Sequence, residues 1–169
     1  MNPKLRSAVT ASALAALTCL ATMIIKIPTI GTGGYVNIGD SVVLMSAWLL
    51  GNPYGALAAG IGSALADLLS GYPAYIPGTA VIKFVMAFVC AIIFKHLSGK
   101  LNKTVVYIIS GTVAEFIMVA GYFLYESTLL GYGIAASASI ISNAVQGIVC
   151  LVLGNLLILL FGRRFETWT

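Results

Sequence analysis

Charged residues are scarce in this chain. Only 8% of its 169 residues are Asp, Glu, Lys or Arg, whereas a typical soluble domain has about 25%. With 60% hydrophobic residues and a mean hydropathy of +1.02, the chain cannot cover a water-facing surface with polar groups. The composition therefore excludes an ordinary soluble domain and predicts an integral membrane protein.

The sequence also lacks the residue patterns of several enzyme and metal-binding classes. Its three cysteines, Cys19, Cys90 and Cys150, lie in separate apolar runs without paired or metal-type spacing, so we expect small buried hydrophobes. It contains no GxxxxGK[ST] phosphate loop, no HExxH and no GxSxG nucleophile elbow. We therefore expect no catalytic residue, no metal site and no cofactor, and the energy for any uphill transport must come from elsewhere.

Six apolar segments approach the length of about 20 residues that a helix needs to cross a bilayer. They cover residues 5–27, 38–50, 54–69, 77–94, 105–125 and 134–161. The second and third are short, and they form either short or tilted spans or one re-entrant pair. The first has no signal-peptide cleavage site, so we expect it to remain as a span. The sequence thus predicts one all-α membrane-embedded domain over residues 1–169 with six transmembrane helices.

Basic residues mark one side of this predicted bundle. Lys4 and Arg6 precede the first helix, and Arg163 and Arg164 follow the last. A third basic cluster separates the fourth and fifth helices and consists of Lys95, His96, Lys100 and Lys103. Six spans bring all three clusters to the same side, which the positive-inside rule makes cytoplasmic. We therefore expect cytoplasmic N- and C-termini, and we interpret the net charge of +4 as a topology signal rather than a nucleic-acid surface.

The segment GGYVNIGD, residues 33–40, is a polar, turn-forming cluster between two apolar segments. The charge rule places it on the outer face. Asp40 opens the second helix, either as an N-cap that accepts backbone N–H groups or as a ligand contact. Tyrosines at a membrane interface need no ligand, but their excess on the outer side favours a stacking pocket. These outer tyrosines are Tyr35, Tyr72, Tyr75, Tyr122, Tyr125 and Tyr132.

Ionisable side chains within the spans are a second functional signal, because each costs about 2.5–3.5 kcal/mol to insert at the centre of a membrane helix. Asp67 and Lys83 lie at similar depths in the third and fourth helices. They form either a structural salt bridge or a ligand site in which Asp67 poises Lys83.

The last two helices carry further polar residues. Glu115 lies near the middle of the fifth helix, and Tyr122 follows seven residues later on nearly the same face. Asn143 and Gln146 are one turn apart in the sixth helix. The group is explained either by hydrogen bonds between helices or by contacts to a ligand.

Small residues recur four apart in the first helix, a pattern that lets two helices approach closely. The partner is either another helix of this chain or a separate membrane subunit. The residues concerned are Ala8, Ala11, Ser12, Ala15 and Ala16.

Several of these stretches together resemble the substrate-binding S component of an energy-coupling factor (ECF) transporter, in its riboflavin-type branch. The stretches are ASALAA at 11–16, GGYVNIGD at 33–40, LLGNPYGALAAGIGSALADLLSGY at 49–72 and PGTAVIK at 77–83. The resemblance implies a multi-pass protein of the prokaryotic plasma membrane that binds a vitamin at the outer face. It implies docking through the first helix on a transmembrane coupling subunit, with two partner ATPases performing the hydrolysis, so that this chain is not itself an enzyme.

The resemblance also implies roles for individual residues. The loop after the first helix is expected to close over the ligand. Ala11 and Ala15 match the AxxxA docking pattern, while Ala8 with Ser12 and Ser12 with Ala16 are near-matches that leave the docking row open. Together with the polar residues above, the candidate ligand contacts are Tyr35, Asn37, Asp40, Asp67, Tyr75, Lys83, Glu115, Tyr122, Asn143 and Gln146.

One deep Glu and one Lys in a short chain favour a single-ring ligand such as pyridoxine or a hydroxymethylpyrimidine. Riboflavin has three rings and a ribityl tail, would require a larger apolar slot, and remains the alternative within the family. From another class, the alternative is a stand-alone proton-coupled transporter that uses Glu115. We find no inverted repeat between the two halves of the sequence that would favour it.

Overall fold

The computed structural model describes residues 2–29 and 31–166, with side chains described as far as Gly162. Six α-helices account for most of the chain, as the sequence predicts. They are α1 (Pro3–Ile24), α2 (Asp40–Leu50), α3 (Tyr54–Ser70), α4 (Ile76–Leu97), α5 (Lys103–Leu124) and α6 (Ser137–Glu166). The side chains of Arg163 and Arg164, on which the predicted orientation partly depends, lie outside the described residues.

Two short strands are added to the all-α architecture, which the sequence predicts correctly. β1 (Lys26–Pro28) and β2 (Tyr35–Asn37) pair in antiparallel register and form a hairpin between α1 and α2. Between α5 and α6 the chain passes through a π-helical turn (Tyr125–Leu129) and a 3₁₀ turn (Gly133–Ala136). The apolar pattern of the sequence reveals the long helices but not this hairpin, because three-residue strands are too short to show a period.

Within the described residues, four helices are long and apolar enough to cross a membrane: α1, α4, α5 with its π-helical extension, and α6 with the preceding turn. By contrast, α2 has 11 residues, about 16 Å at 1.5 Å per residue, which is roughly half of a hydrocarbon core. Residues 40–48 of α2 are all buried, and the helix packs against α1, α3, α4 and α6. These neighbours surround α2 along most of its length. The number and direction of membrane crossings stay predictions.

Close contact between α1 and α3 changes the interpretation of the first-helix alanines. A Cβ atom added at Gly62 of α3 would overlap the carbonyl oxygen of Ala15. Ala11 and Ala15 are each only 9% exposed, whereas Ala8, Ser12 and Ala16 are exposed. The two alanines that match the AxxxA pattern are therefore mainly packing residues of this chain, and the exposed small-residue row is the near-match Ala8–Ser12–Ala16.

The three cysteines, Cys19, Cys90 and Cys150, are buried and form no disulfide bonds, as predicted.

The C-terminal end of α3 lies at Gly71, whose φ of +82° is in the left-handed region that favours glycine. The N–H of Tyr72 then bonds back to the carbonyl of Asp67 at 2.9 Å. This helix end places Asp67 and Tyr72 beside the β1–β2 hairpin.

Candidate ligand-binding site

A small polar cavity lies beneath the hairpin, where β2 meets the adjoining ends of α1, α3, α4, α5 and α6. Its volume is about 20 Å³, room for on the order of one water molecule. Its walls are formed by Thr22, Thr29, Gly34, Tyr35, Asn37, Ser63, Asp67, Tyr75, Thr79, Lys83, Tyr122, Glu126, Asn143 and Gln146.

All of the predicted ligand residues except Asp40 and Glu115 line this cavity. Contact with a ligand stays a prediction for each of them. The sequence reasoning missed several wall residues, which are Thr22, Thr29, Gly34, Ser63, Thr79 and Glu126. Most of these are hydroxyl residues, which also occur in membrane helices for packing, and Glu126 gave no signal beyond that of a loop charge.

Asp40 is a buried charge at the centre of the bundle, which corrects the N-cap interpretation. The N-cap of α2 is Gly39, and no side chain caps this helix. Asp40 is 1% exposed and pairs through Oδ1 with the Lys83 ammonium, while its Oδ2 accepts a hydrogen bond from Gln146 Nε2 at 2.5 Å. Asp40 is therefore enclosed within the bundle by its partners on α4 and α6.

Gln146 connects this ion pair to the hairpin. Its Oε1 accepts a hydrogen bond from the backbone N–H of Asn37 at 2.6 Å. The Asn37 side chain in turn accepts from the N–H of Gly39 at 2.8 Å. One amide on α6 therefore links β2 to the charged pair of α2 and α4.

Asp67 does not form the structural salt bridge with Lys83 that is one of its two predicted roles, because the Lys83 ammonium pairs with Asp40. Instead, Asp67 Oδ1 accepts a hydrogen bond from the Tyr35 hydroxyl at 2.7 Å. Asp67 is 4% exposed, and its Oδ2 has no hydrogen-bond partner among the described residues. Its alternative role beside a ligand stays a prediction.

A second buried carboxylate closes the opposite wall. Glu126, in the π-helical turn, accepts hydrogen bonds from the Tyr75 hydroxyl at 3.0 Å and from the Ser139 hydroxyl. A Cβ at Gly34 would lie 3.2 Å from the Tyr75 hydroxyl and 3.3 Å from Glu126 Oε1. A glycine at this position lets the hairpin loop lie directly on the α5–α6 connection.

Tyrosine rings form a continuous aromatic group beside the hairpin. The ring centroids of Tyr35 and Tyr72 are 4.6 Å apart, and those of Tyr72 and Tyr75 are 6.4 Å apart. Tyr125 lies 6.3 Å beyond Tyr75. These distances are within the range of favourable aromatic pairs, so the rings support one another as well as offering faces to a planar molecule.

Two of these phenols, which an ordinary pKa of about 10 already keeps protonated at neutral pH, have their pKa raised further. Burial raises the pKa of Tyr35, and the hydrogen bond and negative charge of Asp67 raise it further. Burial likewise raises the pKa of Tyr75, with the negative charge of Glu126 adding to the effect. Both hydroxyls therefore act as hydrogen-bond donors to the carboxylates that they contact.

The inner part of the cavity is bounded by Tyr122 and Lys83. The Tyr122 hydroxyl shares a hydrogen bond of 3.0 Å with Thr79, and the Lys83 ammonium lies 5.2 Å from the centroid of the Tyr122 ring. That distance is within the range of a cation–π contact. Asn143 also lines the cavity and is buried.

Glu115 lies apart from the cavity. It is 6% exposed, and neither of its carboxyl oxygens has a hydrogen-bond partner among the described residues. A Cβ at Gly147 would lie 3.1 Å from the Glu115 Cβ, so this glycine leaves room for the carboxyl group between α5 and α6. Glu115 is not among the residues that line the cavity, and its contact with a ligand stays a prediction.

Comparison with known proteins identifies the family. The family model for the ECF-type riboflavin transporter, S component, matches residues 2–162. A Pyrococcus woesei protein described as "uncharacterized protein in gap 3'region" is 34% identical over 137 residues, which cover 80% of this chain and 88% of that protein. The family is a class of transporter components and not of enzymes. The long match confirms the resemblance seen in the sequence: the chain belongs to the ECF-type riboflavin transporter S component family.

Proposed function

We propose that this chain is the substrate-binding subunit of an ECF-type importer and captures a water-soluble vitamin in the cavity beneath the β1–β2 hairpin. The observation that carries this proposal is the convergence of polar side chains from five helices and the hairpin on one buried cavity in an otherwise apolar bundle. Burying polar groups in a membrane protein is costly. A concentration of them is therefore typical of a ligand site or a transport pathway.

The hairpin is the element that opens and closes the site. A cavity of about 20 Å³ holds on the order of one water molecule, so a ring-sized ligand enters only if the hairpin moves away. The hydrogen bonds that hold the hairpin against the helices include those from Tyr35 to Asp67, from Asn37 to Gln146, from Lys26 to Ser70, and from the Gly33 N–H to the Tyr132 hydroxyl at 3.2 Å. Breaking a few bonds of about 1 kcal/mol each is compatible with opening on a biological timescale.

Riboflavin is the first ligand to test, because the family description names it. Single-ring compounds such as pyridoxine are the second, because the cavity is small and its walls are mostly polar. Stacking on the tyrosine group and hydrogen bonds to the hydroxyl-rich walls serve either class.

The proposed orientation places the cavity at the outer face of a prokaryotic plasma membrane, with six crossings and cytoplasmic termini. The basic residues near the start of α1 and between α4 and α5 support it. The transmembrane coupling subunit would contact the exposed row Ala8, Ser12 and Ala16 on α1. Two ATPase subunits on the cytoplasmic side would supply the energy.

The test is equilibrium binding by the purified protein in detergent without ATP. Riboflavin is followed by quenching of its fluorescence, and pyridoxine by isothermal titration calorimetry. We expect saturable 1:1 binding of one of the two, and loss of binding in the variant Tyr35→Ala. An Ile148→Ala variant, changed on an exposed face of α6, serves as the matched control and should bind normally. If neither compound binds, the proposal is contradicted.

A further inference from the structure

We propose that Asp67 selects the ligand: it accepts a hydrogen bond from an O–H or N–H group of an uncharged vitamin, in a cavity that excludes phosphorylated forms. The inference deepens the proposed function and rests on it, because it concerns the same cavity. Neither the family description nor the relative assigns a role to this residue.

The unused oxygen of Asp67 is the first observation. Oδ1 accepts the Tyr35 hydroxyl, whereas Oδ2 has no hydrogen-bond partner among the described residues although Asp67 is buried in the cavity wall. The Thr79 hydroxyl lies nearby, where it interacts with the Asp67 carboxylate and shares a hydrogen bond with Tyr122 in which either group can donate. A buried carboxylate oxygen without a donor is unfavourable, and a donor on the ligand would remove that penalty.

The charge balance of the walls is the second observation. Among the described residues, the cavity is lined by two carboxylates, Asp67 and Glu126, and by one cation, Lys83. The Lys83 ammonium already pairs with Asp40, so its charge is matched. A phosphate group would enter a buried space with two carboxylates and no unmatched cation, where both desolvation and repulsion oppose it.

Lys26 lies outside these walls, beside Tyr35. It lies 5.9 Å from the centroid of the Tyr35 ring and donates a hydrogen bond to Ser70 at 3.0 Å, but it is exposed to solvent. Exposed ion pairs contribute only about 0–1 kcal/mol. A phosphate held at Lys26 would therefore gain too little to offset its exclusion from the cavity.

The competing explanation is that Asp67 only holds Tyr35 in place. In that case the loss of the Tyr35 hydroxyl and the loss of the Asp67 charge should weaken binding equally. If Oδ2 contacts the ligand, the Asp67 variant should lose more.

The first experiment compares matched pairs on the unmodified protein in detergent: riboflavin with flavin mononucleotide, and pyridoxine with pyridoxine 5′-phosphate. In the pair whose uncharged member binds, we expect the dissociation constant of the phosphorylated member to be at least about tenfold higher, which is equivalent to about 1.4 kcal/mol. Equal affinity within a pair overturns the inference while leaving the proposed function intact. If no member of either pair binds, the proposed function fails and the inference fails with it.

The second experiment uses two variants that keep the shapes of the side chains. Asp67→Asn should weaken binding of the uncharged ligand at least about tenfold, and it should reduce the ratio of the affinities for the uncharged and the phosphorylated ligand. Tyr35→Phe should weaken binding of the uncharged ligand less than about threefold. Equal losses in the two variants overturn the ligand-contact role. Size-exclusion chromatography checks that each variant folds, and if Asp67→Asn does not, the phosphate comparison decides.

Discussion

The buried ion pair of Asp40 and Lys83 gives a prediction whose magnitude follows from the structure. The two side chains are 1% and 3% exposed. Two unit charges about 3 Å apart interact by about 5 kcal/mol at an effective dielectric constant of about 20. Replacing Asp40 with Asn leaves the Lys83 ammonium buried without its counter-ion, and losses of this kind are typically about 3–5 kcal/mol. We therefore expect Asp40→Asn to lower the free energy of unfolding by about that amount.

The reverse single variant and the double variant complete a thermodynamic cycle. Lys83→Met should be similarly destabilising, because it leaves the Asp40 carboxylate buried with Gln146 as its remaining partner. Asp40→Asn/Lys83→Met removes both charges and should come within about 2 kcal/mol of the unmodified protein. The coupling energy should therefore be at least about 4 kcal/mol.

The assay is unfolding in mild detergent by titration with sodium dodecyl sulfate, followed by the loss of helical circular dichroism. The control variant is Lys100→Met, since Lys100 is exposed at the other end of the bundle and contacts His96 at 3.2 Å. It should change stability by about 0.5 kcal/mol or less. Additive losses below about 1 kcal/mol in both single variants would refute the argument that this pair is a desolvated unit.

Three further predictions concern the hairpin and the first helix. Tyr132→Phe removes the acceptor of the Gly33 N–H and should speed ligand dissociation about two- to tenfold in a stopped-flow chase, whereas an unchanged rate would show that this bond does not hold the hairpin. Gly34→Val should weaken binding more than Gly34→Ala in the same titration, because the added methyl groups meet Tyr75 and Glu126, and equal affinities would contradict the close packing. Ser12→Trp should abolish transport while preserving vitamin binding. Ala15→Trp should lower the free energy of unfolding by about 1–3 kcal/mol, because the larger side chain overpacks against α3. The opposite pattern would return the docking role to Ala15.

The sequence predicts the helices and most of the cavity residues, because apolar segments and rare intramembrane polar groups are visible in one dimension. It does not predict the partner of Lys83. Helix position offers only Asp67 at the depth of Lys83 and assigns Asp40 to a helix start, whereas in the structure Lys83 pairs with Asp40. Pairing between helices is decided by three-dimensional features, which leave no periodic signal.

The two small-residue rows of α1 illustrate the same limit. Ala11–Ala15 and Ala8–Ser12–Ala16 have equivalent composition and spacing, so sequence alone cannot assign one to packing and the other to an external partner. The assignment follows from the position of Gly62 on α3, which contacts Ala15. Residue type likewise does not show that Glu115 is buried outside the walls of the cavity, because this depends on how α5 is rotated about its own axis.

The central claim is that this chain binds a vitamin by itself but imports it only with an energised coupling module. The direct measurement is uptake of radiolabelled riboflavin and pyridoxine into proteoliposomes, with the chain alone and with a coupling subunit and two ATPases plus ATP. We expect the chain alone to bind the vitamin without taking it up, and we expect uptake when the coupling subunit, both ATPases and ATP are present. Uptake by the chain alone, driven by a proton gradient and lost in Glu115→Gln, would contradict it.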